Sequence, residues 1–502
     1  MPFSEDYFTL FDNVPAFHDK VAQKYLLASQ TAQISERLLR CIWFDRLYDE
    51  QKLQSRDGSP ILVHSPGTWN LESGPDFKNA ELTIGAHRLK GDVELHLEPA
   101  GWRLHGHAKD PRYDNVILHV VLKERVKGEP PLSRHGIEIP EVALWNCLTD
   151  DLKVLKCALR PDEYPYKSLH NVGRCQALLE RLPATAASKL LNLAGDARII
   201  AKQRRFGYEA EKLHPNQIAY SALLEGLGYK AFTRQFSQLA QKLPYDRLRT
   251  YALSASPPDR PLLTQALLLG AAGLLHRSGN ETPPESREYL DRLRGLWREH
   301  AHENSHEPEI IWKSAAARPA NRPERRIAGA SHILARSFEA GLFDSIISRV
   351  VNDETKKARN GSIEFLSHIN DEFWSRRYTA SGKLLNEAVS LVGKGRALTI
   401  IVNAFVPLGL LHARTHARPD DEERAHQVFC SLPASLDNSV TRLMEYRMFG
   451  PQSRTRPTRT ARTQQGLLQV FADWCSEDPS CENCGILAGL QTGFIRDKIT
   501  SP

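Results

Sequence analysis

Gly74-Pro75-Asp76-Phe77-Lys78-Asn79-Ala80-Glu81-Leu82-Thr83-Ile84-Gly85-Ala86-His87-Arg88-Leu89-Lys90-Gly91-Asp92-Val93-Glu94-Leu95-His96 decides how this chain folds. It reads as a strand near Ala80 to Ile84, a tight Gly85-Ala86 turn with glycine first, and a second strand near Arg88 to Leu97. Side chains alternate along a strand, so Val93, Leu95 and Leu97 share one face and Asp92, Glu94, His96 and Glu98 the other. Pro75 stiffens the chain where Asp76 must be aimed. Two carboxylates and a nitrogen base can thus gather at one point. Magnesium or manganese would sit between Asp76 and Glu94. His96 would orient the attacking water or stabilise charge at phosphorus.

The register sets a condition on this. A two-residue turn pairs Leu82 with Leu89 and Glu81 with Lys90. Carried back, it pairs Asp76 with Leu95, on the wrong face. A bulge or a longer turn near Asp76 is required, and bulges are common beside active sites. Without one, Asp92, Glu94, His96 and Glu98 are the outer face of an ordinary half-exposed strand.

Working outward, Ser35 to Lys52 has helical spacing in Leu38, Leu39, Ile42, Trp43, Leu47 and Tyr48. Asp57-Gly58 marks a turn into a strand at Ile61-Leu62-Val63. Val116 to Leu122 is almost wholly apolar and reads as a buried central strand, with a further strand near Gly136 to Ile139. Between them Trp102, His105, His107, Asp110 and Tyr113 crowd one segment and would line the site. His105-x-His107 puts two imidazoles on one side if extended. Imidazole suits zinc, iron or nickel better than magnesium, which keeps a His-metal hydrolase open as an alternative. His119 interrupts the apolar strand and is expected to be buried and hydrogen-bonded. Taken singly, each histidine has an ordinary structural role available to it.

From Pro183 the composition turns to alanine, leucine, arginine and glutamate. Helical periodicity recurs in Ala184 to Arg204, Gln217 to Leu227, Tyr229 to Leu243, Arg260 to Arg277 and Glu285 to His300. Arg318-Pro319-Ala320-Asn321-Arg322-Pro323, then Arg325 and Arg326, either grips phosphate through guanidinium forks or opens a basic helix. Near the end, Arg454, Arg456, Arg459 and Arg462 lie in a Pro/Thr/Ser-rich stretch, either a solvated linker or a phosphate contact. Cys475-x5-Cys481-x2-Cys484 follows an amphipathic helix near Gln465 to Trp474. Three thiolates so close can hold zinc or three corners of an iron–sulfur cluster, with Cys430, Cys175 or His426 as fourth ligand. Free thiols are the plain alternative.

The chain has 502 residues, 41% apolar and 25% charged, with a formal net charge of +6, which implies two or three domains and makes nucleic acid a candidate partner only through local clusters. Its acidic start and the lack of a long apolar run lead us to expect a cytoplasmic protein with no membrane span. Composition does not specify an oligomeric state.

The order helix, strand, hairpin strand, central strand, with Pro75-Asp76 and Glu94-Leu95-His96, resembles the PD-(D/E)XK or restriction-endonuclease-like nucleases, with histidine where lysine is usual. That resemblance implies a metal-dependent nuclease, with Glu36 or Asp45 as a further acidic ligand. It equally allows a degenerate, non-catalytic scaffold that binds nucleic acid or protein. Ile42-Trp43, Pro66-Gly67, Gly74-Pro75-Asp76-Phe77, Gly91 to His96, Tyr113 to Val121, Leu227-Gly228-Tyr229, Arg318 to Asn321, Asn403 with Pro407, and Cys481-x2-Cys484 resemble a bacterial family, domain of unknown function 2851. That likeness implies no activity. The expected fold is α+β: a helical extension at 1–34, a restriction-endonuclease-like mixed α/β domain at 35–160, an all-helical domain at 183–450, and a basic linker with Cys tail at 451–502.

Overall fold

A computed structural model of the chain describes residues 34–70, 74–123, 129–152, 172–275, 283–300, 310–312, 319–435, 438–451, 459–476 and 484–500, with 7, 9–11, 155, 159, 457 and 481. Most of the expected extension at 1–34 lies outside these residues, as do Arg318, Arg454 and Arg456. The fold is α+β, and the chain divides into two compact units. One comprises Met1–Ala194, Asp437–Pro457 and Gly466–Pro502; the other comprises Gly195–Leu436 and Thr458–Gln465. The Cys tail therefore shares a unit with the sheet.

In the first unit, helix α1 (Glu36–Phe44) is capped by Ser35, whose Oγ accepts from the Leu38 amide at 3.2 Å. Leu38, Leu39, Ile42 and Trp43 form its buried stripe. The helix stops well short of Lys52, because Arg46 turns to φ 52° and Tyr48 bridges to Leu148. Strands follow at β1 (Ile61–Ser65), β2 (Thr68–Trp69), β3 (Phe77–Ile84), β4 (His87–His96), β5 (Val116–Val121) and β6 (Glu141–Ala143). Their order is β1-β3-β4-β5-β6, with β2 paired to β3. The β1/β3 and β3/β4 pairs are antiparallel, and β4/β5 and β5/β6 are parallel.

The last strand is not at Gly136 to Ile139. That stretch folds back on itself, with Ser133 N donating to Ile137 O and Gly136 at φ 74°. Parallel pairing to β5 begins where His119 N meets the Pro140 carbonyl at 2.8 Å.

The hairpin keeps the anticipated register from Ile84↔His87 to Ala80↔Gly91, then shifts to Phe77↔Val93. Asn79, at φ 56°, is the extra residue. Asp92 holds the bulge, accepting from Asn79 N at 3.1 Å and from Lys78 Nζ at 2.8 Å. Beyond the bulge, Asp76 shares its face with Glu94 instead of Leu95.

The second unit is helical. Gln217 to Leu227 and Tyr229 to Leu243 form one helix, Pro215–Lys242. Gly226 and Gly228 serve packing here: a Cβ would stand 2.9 Å from Ile400 or 2.8 Å from Phe236. One helix, Lys394–Thr415, is apolar and long enough to cross a membrane by length and composition, and most of it is buried among the other helices.

Candidate metal centre

The polar face of β4, which without a bulge would be the outer face of a half-exposed strand, is covered in the fold. Asp92, Glu94 and His96 are 4%, 5% and 1% exposed. The cover is the segment from helix α2 (Gly101–Leu104) to Tyr113. Gly101 presses on the His96 ring so closely that a Cβ would lie 2.4 Å away. Trp102 is buried, with Nε1 donating to the Leu132 carbonyl at 2.9 Å, and its ring meets His107 and His119 edge-on or tilted. Tyr113 stacks on His107 at 3.9 Å between centroids.

Inside this cover the donors converge. His96 Nε2 lies 3.0 Å from His105 Nδ1 and 3.2 Å from His107 Nε2. Glu94 Oε1 lies 3.2 Å from His107 Nε2 and 3.7 Å from His96 Nε2. One ligand atom from each of His96, His105 and His107 falls within 4.8 Å of the other two. Ligands at ~2.1 Å from one ion stand about 3.0 Å apart in octahedral and about 3.4 Å apart in tetrahedral arrangement, and the four separations above run from 3.0 to 3.7 Å. His105 is exposed and opens the cluster to solvent, while His96 and His107 are buried.

Asp76 lies alongside. Its amide donates to Glu94 Oε2 at 2.9 Å, and its Oδ2 accepts from the Leu95 amide at 3.1 Å. Arg40 Nε, from α1, approaches Oδ1 at 2.8 Å. Glu36, one turn earlier on α1, is near enough for its charge to act on Glu94 and His107, whereas Asp45 is exposed at the helix end. Asp110 binds Arg112 through both oxygens and caps the turn Pro111–Tyr113.

Burial pushes the Asp76 carboxyl up to about 7, with Arg40 opposing and Glu94 adding to the rise. Burial likewise raises Glu94 to about 8 against the pull of Arg40. His96 is pushed down to about 2, by burial first and then by the rings of His119, His107 and His105. Burial lowers His107 to about 4, although Asp76 and Asp110 pull the other way. Two reluctant acids and two reluctant bases at one point are what a bound cation would relieve.

Two partners were not legible in the sequence. Glu141 Oε2 accepts from His119 Nδ1 at 2.8 Å, and His119 Nε2 faces His96 Nδ1 at 2.8 Å. A carboxylate only accepts, so His119 Nδ1 donates to it and His119 Nε2 accepts from His96 Nδ1. His96 Nε2 is left with its lone pair aimed into the cluster, as a metal ligand requires. Glu141 reaches this place through the parallel β5/β6 pairing, which no local pattern announces. Arg40 had a faint signal, standing four residues after Glu36 on the same helix face.

Other candidates lie elsewhere. Arg325 and Arg326 are buried and donate to the carbonyls of Trp374, Val389 and Leu391, so they fasten loops of the helical unit. Arg462 pairs with the buried Asp196. Cys475, Cys481 and Cys484 are all buried. No curated protein and no solved structure matches the chain. One family model matches residues 36–438, described as a protein of unknown function (DUF2851).

Proposed function

Because the chain belongs to this DUF2851 family, whose description assigns no activity, we propose from the geometry of the site that it is a metal-dependent phosphodiesterase acting on nucleic acid. The observation that carries the reading is the bulge at Asn79, which turns Asp76 toward Glu94 beside three imidazole nitrogens. Helix, hairpin and parallel strand in that order, with Glu36, Asp76 and Glu94-x-His96 on successive elements, support the restriction-endonuclease-like comparison. The exposed Arg103, Lys109, Arg112 and Arg134 on and beside the covering segment can exchange their surface partners for phosphates.

Glu94 Oε1, His96 Nε2, His105 Nδ1 and His107 Nε2 would hold the ion. This donor set suits manganese or zinc better than magnesium. The ion would supply Lewis-acid polarisation of a phosphoryl oxygen and of an attacking water. Asp76, fixed by the Leu95 amide and Arg40, keeps lone pairs to orient that water. Arg40 offsets negative charge on the transferred group. The Glu141–His119 pair holds His96 in its tautomer.

The test is cleavage of single- and double-stranded DNA, RNA and a small phosphodiester by the full chain loaded with Mn²⁺, beside Asp76→Asn and Glu94→Gln. Metal-dependent cleavage by the wild type alone is expected. A folded, metal-loaded wild type that cleaves no more than the variants sinks the proposal. The three-imidazole donor set favours one second reading, a His-metal hydrolase of another bond, which predicts turnover of ester substrates but not of diesters.

A further inference from the structure

Four cysteines converge in the unit that carries the sheet, apart from the histidine site. Cys175 immediately precedes the helix Gln176–Leu179, and Cys475 ends the π-helical turn Phe471–Cys475. Cys481 stands at φ 63°, a left-handed conformation that a non-glycine residue adopts at a cost. Cys484 precedes the helix Gly485–Gln491, which packs against Gln176–Leu179. The four are 6%, 8%, 4% and 5% exposed, and none is in a disulfide.

Close approach here is built in. A Cβ on Gly173 would stand 3.2 Å from the Arg447 carbonyl and 3.4 Å from Cys175 Sγ. A Cβ on Gly485 would lie 2.5 Å from the Trp474 ring, one residue before Cys475. Arg447, from the helix Ser439–Phe449, is 4% exposed. Its Nη2 donates to Cys481 Sγ at 3.2 Å, and its carbonyl accepts from Gly173 at 2.8 Å.

A buried guanidinium donating to sulfur is matched by thiolate, not by neutral thiol. Yet burial and the thiols of Cys475, Cys484 and Cys481 push Cys175 well above its ordinary value. Burial, with Cys484 and Cys481, also pushes Cys475 up to about 12 against Arg447. Four buried cysteines around one buried guanidinium that donates to sulfur are a donor set for a multivalent metal centre.

We propose that Cys175, Cys475, Cys481 and Cys484 bind an iron–sulfur cluster, with Arg447 donating to a ligand sulfur. A single tetrahedral zinc would draw its sulfurs to about 3.8 Å from one another. No three of these four sulfurs form a group within the 4.8 Å that the three histidines reach, whereas a cluster places its ligands wider. Of Cys175, Cys430 and His426, Cys175 is the one that lies near enough to feel the charge of all three tail thiols. His426 is bound to Asp196, and Cys430 lies at its side. The cluster ties the chain near residue 175 to a tail three hundred residues later in sequence.

The full chain, purified without oxygen, is to be assayed for iron, zinc and acid-labile sulfide and for visible absorption. Equal iron and sulfide, with colour bleached by dithionite, is expected. Cys175→Ser should lower both by about an order of magnitude, and Cys430→Ser should leave both unchanged. Zinc without sulfide, or no metal at all, overturns the cluster. Loss in Cys430→Ser with retention in Cys175→Ser overturns the ligand set. If the serine variant does not fold, alkylation of the wild type decides: all four cysteines should be protected together and become reactive together on chelation. Protection of the tail three alone refutes the role of Cys175. None of these readouts depends on the proposed hydrolysis.

Discussion

Two histidines, the half-buried His426 in one unit and the buried His96 in the other, are driven in opposite directions. His426 sits among helices, where burial works against its charge. Its hydrogen bond to Asp196 and the neighbouring Cys430 outweigh that and raise it to about 9. Arg462 completes the group by binding the same carboxylate. His96 sits in the sheet among three other imidazoles and is pushed down to about 2. The helical unit buries charge in complementary sets that cancel. The sheet gathers acids and imidazoles whose charged forms burial disfavours together. The first pattern holds a fold together, and the second carries an avoidable cost that function can explain.

The largest break in that comparison is chemical. Glu94→Gln should lower Mn²⁺-dependent diester cleavage by on the order of 10³-fold, read as initial rates at saturating metal. Next comes stability in the helical unit. Asp196→Ala leaves the half-buried Arg462 guanidinium and His426 without their carboxylate, and should cost about 1.5–3 kcal/mol in urea unfolding. Third, Glu141→Ala removes the acceptor that fixes His119 and His96, and should weaken Mn²⁺ binding by about 10–100-fold by calorimetry.

A smaller effect has the opposite sign. In metal-free protein at pH 8, Glu94→Gln should raise stability by about 1–2 kcal/mol, because it removes an acid that burial disfavours. A loss of stability there would place Glu94 among the cancelled charges instead.

The mildest test is the pH profile without metal. Asp76 and Glu94 keep protons to about 7 and 8 in the folded chain, against ordinary values of 3.8 and 4.5. The folded state binds more protons in that window, so stability falls as pH rises through it. His96 and His107, lowered from 6.5 to about 2 and about 4, oppose this slope below 6.5 and not above. Thermal unfolding temperature should therefore drop between pH 6.5 and 8, and Mn²⁺ should flatten the drop. His426, raised from 6.5 to about 9, adds to the same fall: its contribution is complete below 6.5 and is lost progressively between 6.5 and about 9, so Asp196→Asn separates its share from that of the two carboxyls.

Local pattern reached far in the hairpin. The pairs Leu82↔Leu89 and Glu81↔Lys90 follow from the Gly85-Ala86 turn, and the structure has them. It also shows the irregularity that the position of Asp76 demanded. His119 was readable as a buried hydrogen-bonded residue because a polar ring inside Val116 to Val121 has few other options. What pattern could not supply were partners delivered by topology. Glu141 follows a proline in a three-residue strand, Arg40 lies on the rim of an amphipathic helix, and Cys175 was one of three residues considered. The two mid-helix glycines misled for a related reason, since they mark where Ile400 and Phe236 approach.

A strand has parity, and the residue at Asn79 changes it. Every side chain upstream of that point belongs to the opposite layer from the one a regular ladder would assign. Lengthening a surface loop elsewhere would leave the chemistry alone. Removing one residue between Phe77 and Ala80 would keep the hairpin from Ala80 to Gly91, yet turn Phe77 out of the hydrophobic seam and Asp76 away from Glu94. The count of residues in this short stretch therefore matters as much as their identities.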